Sequence, residues 1–406
     1  MLATFGLALR NLRRNTHRTV VAVLTVAAGI VAFLLAGGFI HWIFHDMREA
    51  TIHSQLGHVQ VVRPGYFDKG IADPYAFLLP GQPAEKARIE ALPGVVSVGE
   101  RLAFSGLASL GETSIGFVGE GIDPAREKPI SKRVTIMTGR DLERADEPSV
   151  LLGEGLGKSL GAKTGDRIVL LATAANGGAS AVEVSVVGTF ATIYKEYDDQ
   201  ALRLPIAVAR KLMRVDGATS WVVLLERTGA TDSTVKAMAA QLPATQFELV
   251  PWHQLADFYN KTVTLFSKQV NVVKLIIGLI IILTISNTQT MSVLERTVEI
   301  GTSLAIGLRR GAMMRLFVVE GVLIGVLGAL IGVSLGFGLS KAISAIGIPM
   351  PPPPGMAHGY MGEILVEGGL MFDAALMGVV TTLLASLLPA WKASRMNIVD
   401  ALRTNT

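Results

Sequence analysis

The sequence predicts an α+β membrane protein: four transmembrane helices, with a large extracytoplasmic α+β domain between the first and the second. Three observations lead there. The 406 residues are 50% hydrophobic with a mean hydropathy of +0.46, above the range of an ordinary soluble chain. The apolar residues concentrate in 19–44 and 270–392, whereas 45–268 has the mixed character of a globular domain. Basic residues gather in three groups, Arg10, Arg13, Arg14 and Arg18; Arg296, Arg309, Arg310 and Arg315; and Lys392, Arg395 and Arg403. Positive flanks mark the cytoplasmic side, so both termini are expected there and 45–268 outside.

Residues 1–18 place Leu2, Phe5, Leu9 and Leu12 on one helical face beside arginines, which predicts a cytoplasmic helix lying along the inner leaflet against membrane lipid. Residues 19–44 contain no Asp, Glu, Lys or Arg and exceed the length of a signal-peptide core, so a retained first span is expected. The second span is expected at 269–294, ending in the polar "SNTQT", whose side chains should face protein. A cytoplasmic segment follows at 295–315. The third span, 316–340, carries Gly321, Gly325, Gly328, Gly332 and Gly336, a small-residue stripe that lets another helix approach closely. Residues 341–369 form an outer loop whose "PPPPG" (Pro351–Gly355) reads as a semi-rigid polyproline spacer. The fourth span, 370–391, has Asp373 and Pro389 near its ends, and 392–406 form a cytoplasmic tail.

Within 45–268 two β-α-β patterns stand at the edges. The first is "GHVQVV", "PAEKARIEAL", "VVSVGERLAF"; the second is "SWVVLLE", "DSTVKAMAAQL", "TQFELV", and the two can share one sheet. Between them, about 107–204, a Gly-rich run of short strands reads as an inserted β-rich subdomain. The helical run Trp252–Val270 has no Gly or Pro before the second span and predicts a continuous stalk.

Several function classes are excluded. The domain 45–268 has 24 Lys and Arg against 26 Asp and Glu, so the basic pI of 9.2 comes from the flanks and not from a nucleic-acid surface. The absence of cysteine rules out disulfides and thiolate metal sites. "LLGEGLGKSLGAKTGDR" (Leu151–Arg167) is one residue short of a phosphate-binding loop and falls on the side without ATP, so it reads as a turn and short helix before a strand. His41 and His45 stand four apart, with His53 and His58 after them, but the first pair lies at the membrane boundary without a carboxylate constellation of metal-site spacing and reads as interfacial. No nucleophile elbow or zinc-protease motif occurs, so no catalytic or metal residue is assigned.

The segment "LERTVEIGTSLAIGLRRGAMMRLFVVEG" (Leu294–Gly321) interleaves Val298, Ile300, Ala305, Ile306 and Leu308 with Glu295, Arg296 and Glu299: a short amphipathic helix, a glycine hinge and a helix entering the membrane. It closely resembles the cytoplasmic coupling segment of MacB/FtsX-type ABC transporter permeases. The ending "LLPAWKASRMNIVDALR" resembles that family's, and "GFVGEGIDPAREKP" with "LLGEGLGKSLGAKTGD" looks like the LolC/LolE-like lipoprotein-releasing branch. Leu304 stands where the coupling pattern has a basic residue and Ile398 where the ending often has Pro. The resemblance implies a porter-like outer part with an inserted subdomain, a second permease chain and a separate cytoplasmic ABC ATPase that binds the ATP and Mg. The chain itself is then no enzyme and holds no cofactor. Glu295, Arg296, Glu299, Ile300, Gly301, Ala305, Ile306 and Gly307 match the coupling motif: the charged members would hold the ATPase, and Ile300 with Ile306 would fill its groove. Location in the inner membrane, lipoprotein or amphiphile extraction, and a periplasmic chaperone or adaptor follow from the same likeness. MacB-like mechanotransmission in a tripartite efflux pump and FtsX-like activation of a cell-wall hydrolase are the alternatives.

Overall fold

The structure, a computed structural model, describes residues 2–70, 73–80, 84–351 and 359–397, with side chains from Phe5 onward. The polyproline expectation beyond Pro351 and the ending from Ile398 fall outside the described residues. In chain order, helices α1 (Leu2–Arg14) and α2 (Thr16–Thr51) lead through a π-helical turn (Ile52–Leu56) to strand β1 (Val59–Val62). Next come α3 (Ala84–Glu90), β2 (Val95–Leu110), β3 (Thr113–Ile122), α4 (Pro124–Ile130), β4 (Thr135–Gly139) and β5 (Ser149–Gly153). These are followed by α5 (Glu154–Leu160), β6 (Arg167–Thr173), β7 (Ala179–Ala191), α6 (Lys195–Asp198), β8 (Ala201–Pro205) and α7 (Ile206–Met213). The domain ends with β9 (Ser220–Leu225), α8 (Thr231–Ala239), β10 (Glu248–Pro251) and α9 (Trp252–Leu255). Helices α10 (Asp257–Glu295), α11 (Thr297–Ala305), α12 (Arg310–Ile346) and α13 (Gly368–Ser394) complete the chain. It divides into two compact units, one of Met1–His45, Thr262–Pro349 and Met361–Thr406, the other of Asp46–Lys261 with Met350–Tyr360.

In the first unit, α2, α10, α12 and α13 are long and apolar enough to cross a membrane. Val26, Ile30 and Leu34 of α2, Ile281 and Ile285 of α10, Ile324 of α12 and Met377 of α13 form its core. The glycines of α12 lie at two helix crossings. A Cβ on Gly321 would come within 2.6 Å of Ser386 Cβ, and one on Gly325 within 2.1 Å of Thr382 Oγ1, both on α13. On Gly328, Gly332 and Gly336 it would meet Val26, Ile30 and Leu34 of α2 at 2.6–2.8 Å. Thr381, Thr382 and Ser386 donate their hydroxyls to carbonyls of their own helix, so these polar groups need nothing from lipid.

The second unit is built on one ten-stranded sheet with the order β10-β1-β9-β2-β3-β8-β5-β7-β4, β6 pairing with β2 and β7. The two edge patterns interleave as β10-β1-β9-β2, and α3, α8 and the turn after α8 cover them through Ile89, Met238 and Leu242, packed on Val59, Val61, Val98, Trp221 and Val223. The segment 107–204 is no separate sheet. Strand β2 pairs with β9 over Val95–Arg101 and with β3 and β6 further along, so the ladder runs without a break where the composition changes. What changes is the core: Leu102, Phe104, Phe117, Ile168, Leu170, Val184 and Val186 belong to a second cluster.

The stalk expectation is corrected. The helix that begins at Trp252 stops at Ala256 (φ −83°, ψ 58°), and the unbroken helix starts at Asp257. Tertiary anchors cause this: Trp252 N–H donates to the His58 carbonyl at 3.0 Å, and the indole packs with Ile52, Ile130, Val222 and Leu224. In the phosphate-loop look-alike, Lys158 pairs with Glu154 at 2.7 Å, and β5, α5 and a left-handed Gly161 (φ 71°) form a strand, a short helix and a turn. Among the described residues no group of His, Asp and Glu is arranged to hold a metal. His58 is buried within the second unit.

Candidate functional site

The connector between α10 and α12 is assembled from α1, the end of α10, α11, the start of α12 and the end of α13. Helix α10 ends at Glu295, and Arg296 (φ −101°, ψ 17°) leaves helical geometry, giving the kink from which α11 starts. Thr297 Oγ1 donates to the Leu294 carbonyl at 2.6 Å, which satisfies an acceptor freed at that kink. At the other end Gly307 takes φ 104°, a conformation open to glycine at little cost, and Leu308 N–H closes back on the Ser303 carbonyl at 3.1 Å. Arg309 is extended and begins α12.

The motif residues separate into three roles. Ile300 is 3% exposed and packs among Val293, Met313, Phe317, Ala390 and Ala393, with Leu304 at the edge of the same cluster. It is therefore core of this chain and not free to fill a partner's groove; Gly301 is buried beside it. The charged members bond within the chain: Glu299 pairs with Arg14, Glu295 with Arg18, and Arg296 with both Glu299 (3.4 Å) and Glu320 (3.5 Å). The neighbouring Arg14 and then Arg296 hold the Glu299 carboxyl below the ordinary carboxylate range. Ala305, Ile306 and Gly307 remain outward, Ile306 at 82% exposed, followed by exposed Leu308, Arg309 and Arg310. The arrangement is an apolar tip beside two arginines, braced from behind by ion pairs. A helix turns through about 100° per residue, so isoleucines six positions apart cannot share a face, and that signal could have separated Ile300 from Ile306.

Sequence reasoning missed the other half of the bracing. Helix α1 does not simply lie along a leaflet: Ala8 and Leu12 are buried, Asn11 Nδ2 donates to Glu320 Oε1 at 2.7 Å, and Thr19 Oγ1 donates to the Leu12 carbonyl at 2.9 Å. Phe5, Leu7 and Leu9 stay exposed. Glu320 is buried and Phe317 carries the Arg296 guanidinium 6.0 Å from its ring centre.

Comparison with known proteins agrees with this architecture. Residues 19–242, more than half of the chain, match the MacB-like periplasmic core domain, and residues 271–398 match the FtsX-like permease C-terminal family. An ABC transporter permease of Methanocaldococcus jannaschii is 27% identical over 66% of this chain and 65% of its own length. The macrolide export ATP-binding/permease protein MacB of Rhodospirillum rubrum is 28% identical over 99% of this chain and 61% of its own. The chain thus spans less than two thirds of the length of both. The lipoprotein-releasing system transmembrane protein LolC of Neisseria meningitidis is 24% identical over 97% of each chain. Among solved structures, the periplasmic region of MacB from Actinobacillus actinomycetemcomitans is 13% identical, with a TM-score of 0.38 over 52% of this chain and 94% of that one. Matched over both segments, this chain belongs to the MacB/FtsX-type family of ABC transporter permeases.

Proposed function

We propose that the chain is a membrane subunit of a dimeric ABC transporter of the inner membrane, with termini and connector in the cytoplasm and Asp46–Lys261 outside. A separate ABC ATPase docks on the connector, binds and hydrolyses ATP with Mg, and the resulting motion extracts a lipoprotein or a similar amphiphile from the outer leaflet. This chain performs no bond chemistry of its own. The observation that carries the reading is the exposed Ile306–Arg310 tip, an apolar side chain set beside two arginines and held out by a braced helix. Such a tip suits a groove with an acidic rim. Similarity to LolC along nearly the whole of both chains supports the lipoprotein cargo.

In this reading the ion-paired Glu295, Arg296 and Glu299 hold the connector in shape, while Ile306 with Ala305 and Gly307 meets the ATPase. Replacing Ile306 by Asp is expected to weaken capture of the co-expressed ATPase by about tenfold or more, the loss of roughly 1.4 kcal/mol or more at a buried anchor. Binding affinity in detergent-solubilised complexes measures it. Undiminished capture by the Ile306→Asp chain would remove the tip from the interface.

A further inference from the structure

We propose that the Glu320 carboxylate is the pivot of the connector: by holding Arg296 at the α10–α11 kink and Asn11 of α1 together, it makes connector, α1 and α12 turn as one piece. The proposal rests on the coupling reading only for what drives the turn.

Glu320 is 7% exposed in a helix that is otherwise apolar from Leu316 to Leu339 apart from Ser334. A carboxylate taken out of water there is tolerated only when other groups satisfy it. Both partners come from other elements: Asn11 Nδ2 donates to Oε1 at 2.7 Å, and Arg296 Nη1 approaches the same oxygen at 3.5 Å. Arg296 is the residue that leaves helical geometry between α10 and α11, so its direction sets the angle of the connector. Its guanidinium also lies over Phe317, one turn before Glu320, and α12 thereby holds both its charge and its flat face.

The exposed pair between α1 and α11 braces the connector only weakly. Arg14–Glu299 has side chains 56% and 50% exposed, and solvent screening makes such pairs weak. Removing the charge from the buried site leaves Arg296 with only the half-exposed Glu299 at 3.4 Å, and a buried partner is the one whose removal costs most. The connector then bends at Arg296 when its tip is loaded, and the load does not reach α1 or α12.

The test uses the full cysteine-free chain in lipid nanodiscs without an ATPase. Spin labels go on Phe5→Cys of α1 and Thr302→Cys of α11, both exposed positions, and on a control pair, Val326→Cys and Leu376→Cys, on α12 and α13. With Glu320 present the first pair should give one narrow distance peak by electron paramagnetic resonance. Glu320→Gln and Arg296→Gln should lose that peak, and Glu320→Asp, which keeps the charge on a shorter side chain, should restore it; the control pair should stay narrow throughout. A narrow Phe5–Thr302 peak in Glu320→Gln overturns the pivot, as does loss of the control peak with it, which would make Glu320 a general packing residue. Failure of an ATPase with ATP and vanadate to bind the chain would instead sink the coupling reading and leave these distances standing.

Discussion

At the scale of single residues, burial separates the charged and titratable groups of this chain by consequence. His58 is the clearest case outside the connector. Leu225 N–H donates to His58 Nδ1 at 3.1 Å, so the ring proton sits on Nε2 and faces Thr228 Oγ1 at 3.1 Å; Thr228 in turn donates to Glu49 Oε1 at 3.2 Å. Burial first, then the neighbouring His53, lowers the His58 pKa from 6.5 to about 4, and burial lowers that of His53 as well. A histidine whose folded pKa is depressed binds fewer protons folded than unfolded, so its full stability is present above about 6.5 and drains away as pH falls toward 4. The loss expected across that window is on the order of 3 kcal/mol. Thermal unfolding of the full chain between pH 7.5 and 4.5, with native His58 and with His58→Gln, measures it. The substitution should lower the plateau and flatten the slope, whereas parallel profiles would place the titration elsewhere. None of this relay is visible in "GHVQVV", because its other members lie about 170 residues away or on the preceding helix.

At the scale of elements, the α12 glycines show what spacing can and cannot convey. Their recurrence every three or four residues is legible as a smooth face, and the structure divides that face between α13 and α2. Gly332→Leu is expected to destabilise by about 1–3 kcal/mol or more, since its Cβ would stand 2.8 Å from Ile30 Cβ and 2.9 Å from the Ala27 carbonyl, a backbone atom that cannot step aside. Gly338→Ala, with nothing within 4 Å, should be neutral or stabilising by up to about 1 kcal/mol from helix propensity. Unfolding midpoints in one detergent compare the two. Equal effects would mean that close approach is not what Gly332 provides. The stalk teaches the opposite lesson. No breaker stands in Trp252–Val270, yet α9 and α10 part at Ala256, because Trp252 is tied to His58, just before β1, and to a local core. Tertiary bonds override a helical propensity of a few tenths of a kcal/mol per residue.

At the scale of the whole molecule, the proposed orientation rests on charge, and single cysteines test it directly. The chain has no native thiol, so exposed sites can be tagged singly. Ala175→Cys in the outer domain should react with an impermeant maleimide in intact spheroplasts, and Thr302→Cys in the connector only after permeabilisation. The reverse pattern would invert the topology and place the connector away from any cytoplasmic ATPase. The same scale holds the continuous sheet. A boundary at about residue 107 describes a change of core, while one 16-residue strand, β2, carries hydrogen bonds across it.

The sequence by itself determined the class of protein, the candidate spans, the compartments to be tested and the connector that carries the family likeness. Each of these is a local quantity: hydropathy summed over about 20 residues, a period of two or of 3.6, a cluster of arginines, a run of motif residues. Only the tertiary structure decided which groups answer one another. It set Glu295 and Glu299 against Arg18 and Arg14, buried Ile300 while leaving Ile306 outside, and placed Asn11 on Glu320 across 309 positions of chain. The physical reason is that an ion pair, a buried carboxylate and a close helix crossing depend on neighbours through space. Folding decides those neighbours by burying apolar area over the whole chain at once, and no window of sequence records the outcome.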